Sequence, residues 1–440
     1  MEHEPIYDVI GIGIGPFNLG LAALLQNTEC RGLFFERKEQ FNWHPGMLLD
    51  GTTLQVPFLA DLVTMADPAN RFSYLQYLHE HGRLYHFYFL ENFQIPRTEF
   101  NHYCQWVASQ LPELFFGSDV KTVETDGQGM YKVTVRSSDG TLHSYKASNV
   151  VAGTGTRPYV PQSLQIEKEP SVFHSSSYKE RREELMGDDS ITIIGSGQSA
   201  AEIFYDLLSR QREDGYELNW ITRSKGFYPM EYSKLGLEHF SPDYTKYFYS
   251  LEPDKKRQVL KKQGLLYKGI SFNLISDIYG LLYERSACGK RPKVRLQALT
   301  ELESIEKRGE RFELKLLQTE QNIRESALTD TVVLATGYEP FVPECLAPLD
   351  LEKDEHGQLI VSENYRLVAS EQMNGDVFVQ NGELHTHGVG APDLGLGAYR
   401  NAVIINQIAG RDVFKLHDRN VFQQFGMQDT GKEKYAHEYL

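Results

Sequence analysis

The sequence has little cysteine. Four residues in 440, Cys30, Cys104, Cys288 and Cys345, lie far apart, and no C-x-x-C pair occurs. That argues against a thioredoxin-like dithiol, a zinc ribbon and a disulfide framework, and it points to a reducing, cytoplasmic setting. No metal site is expected. A basic excess is also absent: Lys plus Arg is 45 against 60 Asp plus Glu, a formal net charge of −15. Nucleic-acid binders usually show the opposite balance, so the charge argues against that class and weakly favours a cationic small molecule. No apolar run reaches the roughly 18 residues of a membrane-spanning helix. The opening Met1-Glu2-His3-Glu4 lacks the basic stretch of a signal peptide. Tandem repeats and long low-complexity tracts are missing too.

What is present is globular. Apolar residues make up 41%, charged residues 24% and aromatics 12%, which excludes disorder over most of the chain. At roughly 100–200 residues per domain, the length predicts two or three domains.

The chain opens as a βαβ unit. Tyr7-Asp8-Val9-Ile10-Gly11-Ile12 reads as a strand, Gly13-Ile14-Gly15-Pro16-Phe17-Asn18 as a tight turn, and Leu19 to Leu25 as a helix. A second strand, Gly32 to Phe35, then runs into Glu36. Gly13 permits the sharp turn, and Gly15 lets backbone approach a pyrophosphate at the helix N-terminus. Pro16 and Phe17 complete the turn. The usual third glycine is Asn18, which should cost some close helix–strand packing. Glu36 lies 23 residues after Gly13, close to the offset of about 20 at which an acid meets ribose hydroxyls. Arg37 beside it joins the candidate cofactor contacts.

A second unit follows at Ser190-Ile191-Thr192-Ile193-Ile194, Gly195-Ser196-Gly197-Gln198-Ser199-Ala200, a helix from Ala201, and the strand Leu218 to Thr222. This strand ends in Arg223-Ser224-Lys225 rather than in an acid. Arg223 offers a bidentate donor, Ser224 a hydroxyl and Lys225 a point charge for a 2′-phosphate. An acid-ended and an Arg-ended site in one chain imply FAD plus NADPH. The expected fold is α/β: an FAD domain of Rossmann type over 1–165, an inserted NADPH domain of the same type over 166–330, and a return to the first domain over 331–440. Two similar runs, Asn149 to Gly155 and Thr331 to Tyr338, read as the crossings. The region 228–300 is expected to add helices around a substrate site, and the polar tail from Gln428 to be loose or interface-forming.

Several segments together resemble the siderophore-pathway N-hydroxylating flavin monooxygenases, the lysine and ornithine N-hydroxylase family. They are Gly13 to Leu19, Phe41-Asn42-Trp43-His44-Pro45-Gly46-Met47, Leu54-Gln55-Val56-Pro57-Phe58-Leu59, Gly195 to Ala200, Ala335-Thr336-Gly337-Tyr338, Thr386-His387-Gly388 and Leu394-Gly395-Leu396. The resemblance runs from about residue 5 to 410. It implies that Trp43, His44, Met47 and Gln55 line a flavin, that Leu394, Gly395 and Leu396 contact its ring system, and that Gln198 and Ser199 meet the NADPH pyrophosphate. By residue type alone, Trp43 and Met47 suit a core equally well, and His44 a structural histidine. The segment Phe173-His174-Ser175-Ser176-Ser177-Tyr178 is similar to the H-x-x-x-Y/W signature of class B flavin monooxygenases. Lys168 and Pro170 replace the Phe and Gly expected before it, which fits the N-hydroxylating branch.

The resemblance also frames the substrate. Family members acting on ornithine or lysine typically read F-L-K-D-L after the glutamine, the lysine lying near the substrate carboxylate. This chain reads Phe58-Leu59-Ala60-Asp61-Leu62. Alanine neutralises nothing, and an unpaired buried carboxylate costs several kcal/mol. Ornithine enzymes usually carry an asparagine near the position of Gly269, which is absent. Arg83-Leu84-Tyr85 and Glu91-Asn92-Phe93 resemble the diamine N-hydroxylases. The implied reaction is N-hydroxylation of cadaverine or putrescine by a C4a-hydroperoxyflavin, with O₂ as co-substrate, in hydroxamate siderophore biosynthesis. L-lysine N6- or L-ornithine N5-hydroxylation, or action on a histamine-type monoamine, are the alternatives within the family. A flavin-dependent redox sensor is the alternative outside it. Asp61 and Glu231 are candidates for the distal ammonium, although acids of this kind are more often structural. No side chain declares itself as a base. The family often forms tetramers, so a homo-oligomer is expected.

Overall fold

The computed structural model describes residues 5–427, apart from 128, 165–168, 213–214 and 371–374. The expected boundary at 165/166, Lys168 and the tail from Gln428 therefore lie outside the described residues.

The first sheet is built on Ile6–Ile12. Its residues Val9 and Ile10 are fully buried, as a parallel strand covered on both faces requires. Gly32–Phe35 pairs with it on one side and Leu142–Ala152 on the other, both in parallel. Leu114–Phe115 extends one edge. Val377–Val379, from the far end of the chain, adds in parallel to Leu142–Ala152, while Tyr131–Ser137 and Ser118–Thr125 continue the sheet in antiparallel fashion. The helix Pro16–Leu25 is buried at all ten residues, consistent with its nearly uniform apolar sequence. It is covered by the C-terminal helix Gly397–Ala409, whose Asn401 amide donates to the Phe17 carbonyl at 3.0 Å.

The second sheet is parallel throughout, in the order Val294–Gln297, Glu217–Ile221, Ser190–Ile194, Thr331–Leu334, Val172–His174. The helix Gln198–Arg210 presents Ala200, Ala201, Ile203, Phe204, Leu207 and Leu208 to it, a spacing that puts one apolar stripe on the sheet. A three-stranded antiparallel sheet, Thr300–Arg308, Arg311–Gln318 and Ile323–Thr329, closes the outer side. Its Leu302, Phe312 and Leu314 share a core with Ile194, Ile221 and Leu334.

Two expectations change here. Thr331–Leu334 does not return to the first domain at 331; its four buried residues pair with strands of the second sheet on both sides. The return comes a few residues later. Tyr338–Pro340 pairs antiparallel with Thr156–Pro158, so the two crossings run side by side. The likeness of the runs at 149–155 and 331–338 thus has another cause: each is the strand beside the glycine turn of its own sheet. The helices of the middle region, Lys234–Leu237, Pro242–Tyr249, Pro253–Lys262, Gly264–Tyr267 and Phe272–Ser286, lie within 228–300. Tyr244 and Phe248 pack against Val389 of the first domain, which brings these helices over the junction.

Candidate functional site

A continuous cleft of about 1800 Å³ runs between the two sheets and under the middle helices. Each end is made by a glycine turn of the same form. Gly13 has φ +83°, and a Cβ there would sit 2.8 Å from the Gly153 carbonyl oxygen. Gly195 has φ +140°, and its Cβ would lie 2.3 Å from the Ala335 oxygen. Only glycine meets both demands, a left-handed backbone and contact with the neighbouring strand. Gly15 and Gly197 cap the helices Pro16–Leu25 and Gln198–Arg210. The nearest atoms to a Cβ on them are 4.0 and 3.7 Å away, so each helix N-terminus stays open to an anion. The two turns fit two dinucleotides on their geometry.

The ends differ in charge. The Glu36 carboxylate accepts the Ile14 N–H at 2.9 Å and the Lys38 N–H at 3.1 Å, which draws the acid against the first turn. At the second, the Ser224 and Ser196 hydroxyls are 2.8 Å apart, so Arg223 emerges beside Gly195–Gly197. Arg223 is exposed into the cleft and has no ion-pair partner among the described residues.

Between the ends, Trp43 and His44 line the cleft from the loop before Pro45–Met47. The Trp43 N–H donates to Asn101 at 2.8 Å and its ring meets Phe100 edge-on. His44 takes φ +46°, and its ring meets Tyr338 edge-on. The enclosing cleft walls, then Arg97 and Lys38, hold it below the usual histidine range. Met47 reaches the cleft and is otherwise embedded in the core of the second domain. Gln55 donates through its amide to the Met230 sulfur at 3.8 Å and accepts the Tyr232 hydroxyl at its carbonyl. Leu394 and Gly395 line the opposite wall, and Ala60 is 6% exposed beside them.

Of the other candidates, Gln198, Ser199, Gly269 and Glu231 also line the cleft, while Asn18, Arg37, Asp61 and Leu396 do not. Asn18 is fully buried and does not line the cleft. Its amide donates to Ile12, Gly13 and Val151 carbonyls at 3.2, 2.8 and 3.4 Å, and its oxygen accepts Gln380 at 2.8 Å. Arg37 is exposed outside the cleft, and Leu396 is buried against Gly390 behind it. Asp61 accepts Val63 N–H, Thr64 N–H, Thr64 hydroxyl and Tyr74 N–H at 3.0, 2.7, 2.6 and 2.7 Å. With both oxygens committed it organises its own loop. Ser199 lines the cleft, but both ends of the Gln198 amide are spent, one on Glu202 at 2.8 Å and one on the Ser271 N–H at 2.8 Å. Gly269 has a packing reason to be glycine: its Cβ would lie 2.5 Å from the Met230 nitrogen. Glu231 lies exposed on the rim, where hydrogen bonding from the Ser233 side chain, and then from the Ser233 N–H at 2.7 Å, holds its carboxyl below the usual range.

Sequence reasoning missed Arg97, Lys38, Tyr232 and Asp393, all of which line the cleft. Arg97 pairs with the buried Glu202 at 2.8 Å, bridging a first-domain helix to the helix of the second turn. Burial raises the Glu202 carboxyl, and Arg97 and Gln198 pull it back.

Comparison with known proteins agrees with this geometry. Residues 5–340 match the model of the L-lysine 6-monooxygenase/L-ornithine 5-monooxygenase family. A putrescine N-hydroxylase of Shewanella oneidensis is 46% identical, over 96% of this chain and 84% of that one. The crystal structure of the FAD-bound cadaverine monooxygenase of the desferrioxamine pathway from Erwinia amylovora superposes with a TM-score of 0.92 at 43% identity, covering 96% of this chain and 99% of that one. An ornithine N-hydroxylase of Kutzneria, solved with reduced FAD, NADP⁺ and L-ornithine, gives 0.86 at 28% identity, covering 92% and 99%. An α/β flavoprotein architecture, a cleft between two glycine turns and these matches place the chain in the L-lysine 6-monooxygenase/L-ornithine 5-monooxygenase family.

Proposed function

We propose that the chain hydroxylates one primary amine of an aliphatic diamine, putrescine or cadaverine, using FAD at the first turn, NADPH at the second, and O₂. The observation that carries the diamine reading is Ala60, buried on the cleft wall between the turns and beside Gly395. A substrate carboxylate directed there would be desolvated without a partner, at a cost of several kcal/mol. The putrescine and cadaverine enzymes among the relatives support the same choice.

Bound flavin supplies the activation of dioxygen; the chain supplies the rest. Gly13, Gly15, Pro16 and Phe17 form the cradle for the FAD pyrophosphate, and Glu36 accepts the ribose hydroxyls. Trp43, His44, Met47, Gln55, Leu394 and Gly395 border the ring system. Gly195, Gly197 and Ser199 receive the NADPH pyrophosphate, and Arg223 with Ser224 the 2′-phosphate. The reacting amine must arrive as the free base, since an ammonium has no lone pair. A wall of Val56, Pro57, Leu59, Met230 and Leu394 disfavours the charged form by desolvation. Positioning then carries much of the rate, and no side-chain base is assigned. The same reading holds the chain to be a cytoplasmic homo-oligomer. No described helix is long and apolar enough to cross a membrane, and the helix Leu84–Leu90 exposes Tyr85, Tyr88 and Phe89 as a surface for self-association.

A second reading, L-lysine N6-hydroxylation, rests on Lys268, a cation that lines the same cleft. Hydroxylamine formation measured side by side with putrescine, cadaverine, lysine and ornithine decides between them. The expected outcome is a diamine kcat/KM about 100-fold above either amino acid, the worth of one unpaired buried charge. Lysine turning over faster than both diamines overturns the diamine reading.

A further inference from the structure

Four carboxylates line the cleft among the described residues: Glu36, Glu231, Glu301 and Asp393. Glu36 is tied to the first turn. Glu301 follows Thr300, whose N–H donates to the Thr222 carbonyl at 2.8 Å, so it belongs to the Arg223 end. Glu231 is on the outer rim. Asp393 remains, in the wall that faces the middle of the cleft.

Its surroundings are specific. One carboxylate oxygen accepts the Gly395 N–H at 2.7 Å and caps the short turn Leu394–Leu396. A Cβ on Gly395 would lie 2.8 Å from that oxygen and 3.8 Å from the Ala60 Cβ, so Asp393 and Ala60 meet across Gly395. Tyr232, whose hydroxyl donates to the Gln55 carbonyl, feels the Asp393 charge from the other side. Arg400 is the cation acting on Asp393; it is buried, its Nε faces Glu383 at 3.0 Å and its Nη2 donates to the Ala391 carbonyl at 2.6 Å, while its Nη1 has no hydrogen-bond partner among the described residues. Asp393 has no ion-pair partner among the described residues. Burial pushes its carboxyl up to about 6, against the opposing pull of the Gly395 N–H, of Arg400 and of the Leu396 N–H.

We propose that Asp393 receives the non-reacting ammonium of the diamine, and that alanine at position 60 keeps this carboxylate free for it. The inference rests on the diamine reading above. A carboxylate beside an amine favours its protonated form, so the end it holds is the one that is not hydroxylated. A lysine at position 60 would stand one glycine away and satisfy Asp393 from within the protein. The same substitution would thus cancel the site for a second ammonium and supply a cation for a carboxylate.

The test compares cadaverine with pentylamine, which lacks the distal ammonium. Asparagine at 393 keeps an oxygen for the Gly395 N–H and removes the charge. Asp393→Asn should lower the ratio of cadaverine to pentylamine kcat/KM by roughly 10- to 100-fold, mostly through the cadaverine KM. Equal losses with both amines, or no change in the ratio, overturn the inference. Ala60→Lys should lower the same ratio in the wild-type background and change it little in the Asp393→Asn background; additive effects overturn it. Should Asp393→Asn fail to retain flavin, Asp393→Glu takes its place. That variant advances the charge by one methylene and should shift preference from cadaverine toward putrescine; an unchanged ratio of the two counts against Asp393. Wild-type protein that hydroxylates lysine and neither diamine overturns the underlying reading. Diamine turnover indifferent to Asp393→Asn overturns this inference alone.

Discussion

The turns at Gly13 and Gly195 share a backbone form and differ in how they make room for it. In the second, the helix brings a small residue to the strand: Ala200 is fully buried and needs no polar partner. In the first, the helix brings Asn18, and the missing space is made on the other side of the contact. A Cβ on Gly153 would lie 2.5 Å from the Asn18 side chain. The requirement is one absent side chain between helix and neighbouring strand, and either partner can supply it. The first arrangement has a further consequence. Asn18 ties the strands Ile6–Ile12 and Leu142–Ala152 to Gln380, which follows the strand Val377–Val379, so the returning segment is fastened to the turn.

The glycine pair gives the effects that fall most directly on the two cofactors. Gly13→Ala forces a side chain against the Gly153 oxygen at a positive φ and should reduce flavin retention by roughly 10- to 100-fold. Gly195→Ala should leave the flavin in place and slow its reduction by NADPH by a similar factor. Flavin absorbance of the purified variants and anaerobic reduction kinetics read the two separately. Loss of flavin in both variants would show that the turns are not independent.

The Asn18 network comes next. Asn18→Leu strands the Ile12, Gly13 and Val151 carbonyls and the Gln380 amide in a buried site, at a cost of about 2–4 kcal/mol. Ala200→Gly at the matching position should cost about 1 kcal/mol, the entropy of a helix glycine. Urea unfolding followed by flavin fluorescence for the first variant and by far-UV circular dichroism for both gives the comparison. Equal small losses would mean that Asn18 is merely tolerated.

Sequence carried the parts of this architecture whose signal is local. The two βαβ units show as glycine turns between a continuous apolar strand and an apolar helix, and Gly13, Gly15, Gly195, Gly197, Glu36 and Arg223 lie where that pattern expects them. What needs a distant partner was not legible. Thr331–Leu334 looks like any parallel strand, and only its pairing with Ser190–Ile194 assigns it to the second sheet. Asn18 and Gln198 sit in nucleotide-binding motifs, yet their amides are taken by Gln380 and Glu202, residues the motifs do not mention. Asp61 is a candidate acid in the sequence, and its structural role shows only where the Tyr74 N–H closes on it. Asp393 had one local clue, its place immediately before Leu394, but its nearness to Ala60 exists only in the folded chain.

The charge difference between the two ends predicts the most selective effect. Arg223 stands in the cleft without a carboxylate partner among the described residues, so its worth lies in what it binds. Arg223→Ala should raise the KM for NADPH by roughly 10- to 100-fold, the value of a charge-assisted hydrogen bond to phosphate, and move the KM for NADH by less than about twofold. Glu36→Gln supplies the matching test at the first turn. Glutamine still accepts one backbone N–H, so the loop should hold while ribose binding weakens, and flavin affinity should fall by about tenfold with NADPH kinetics unmoved. If Arg223→Ala weakened both nicotinamide cofactors equally, the arginine would be acting on the shared pyrophosphate. The contrast between an acid-ended and an Arg-ended site would then reduce to a difference in general electrostatics rather than in which nucleotide each end reads.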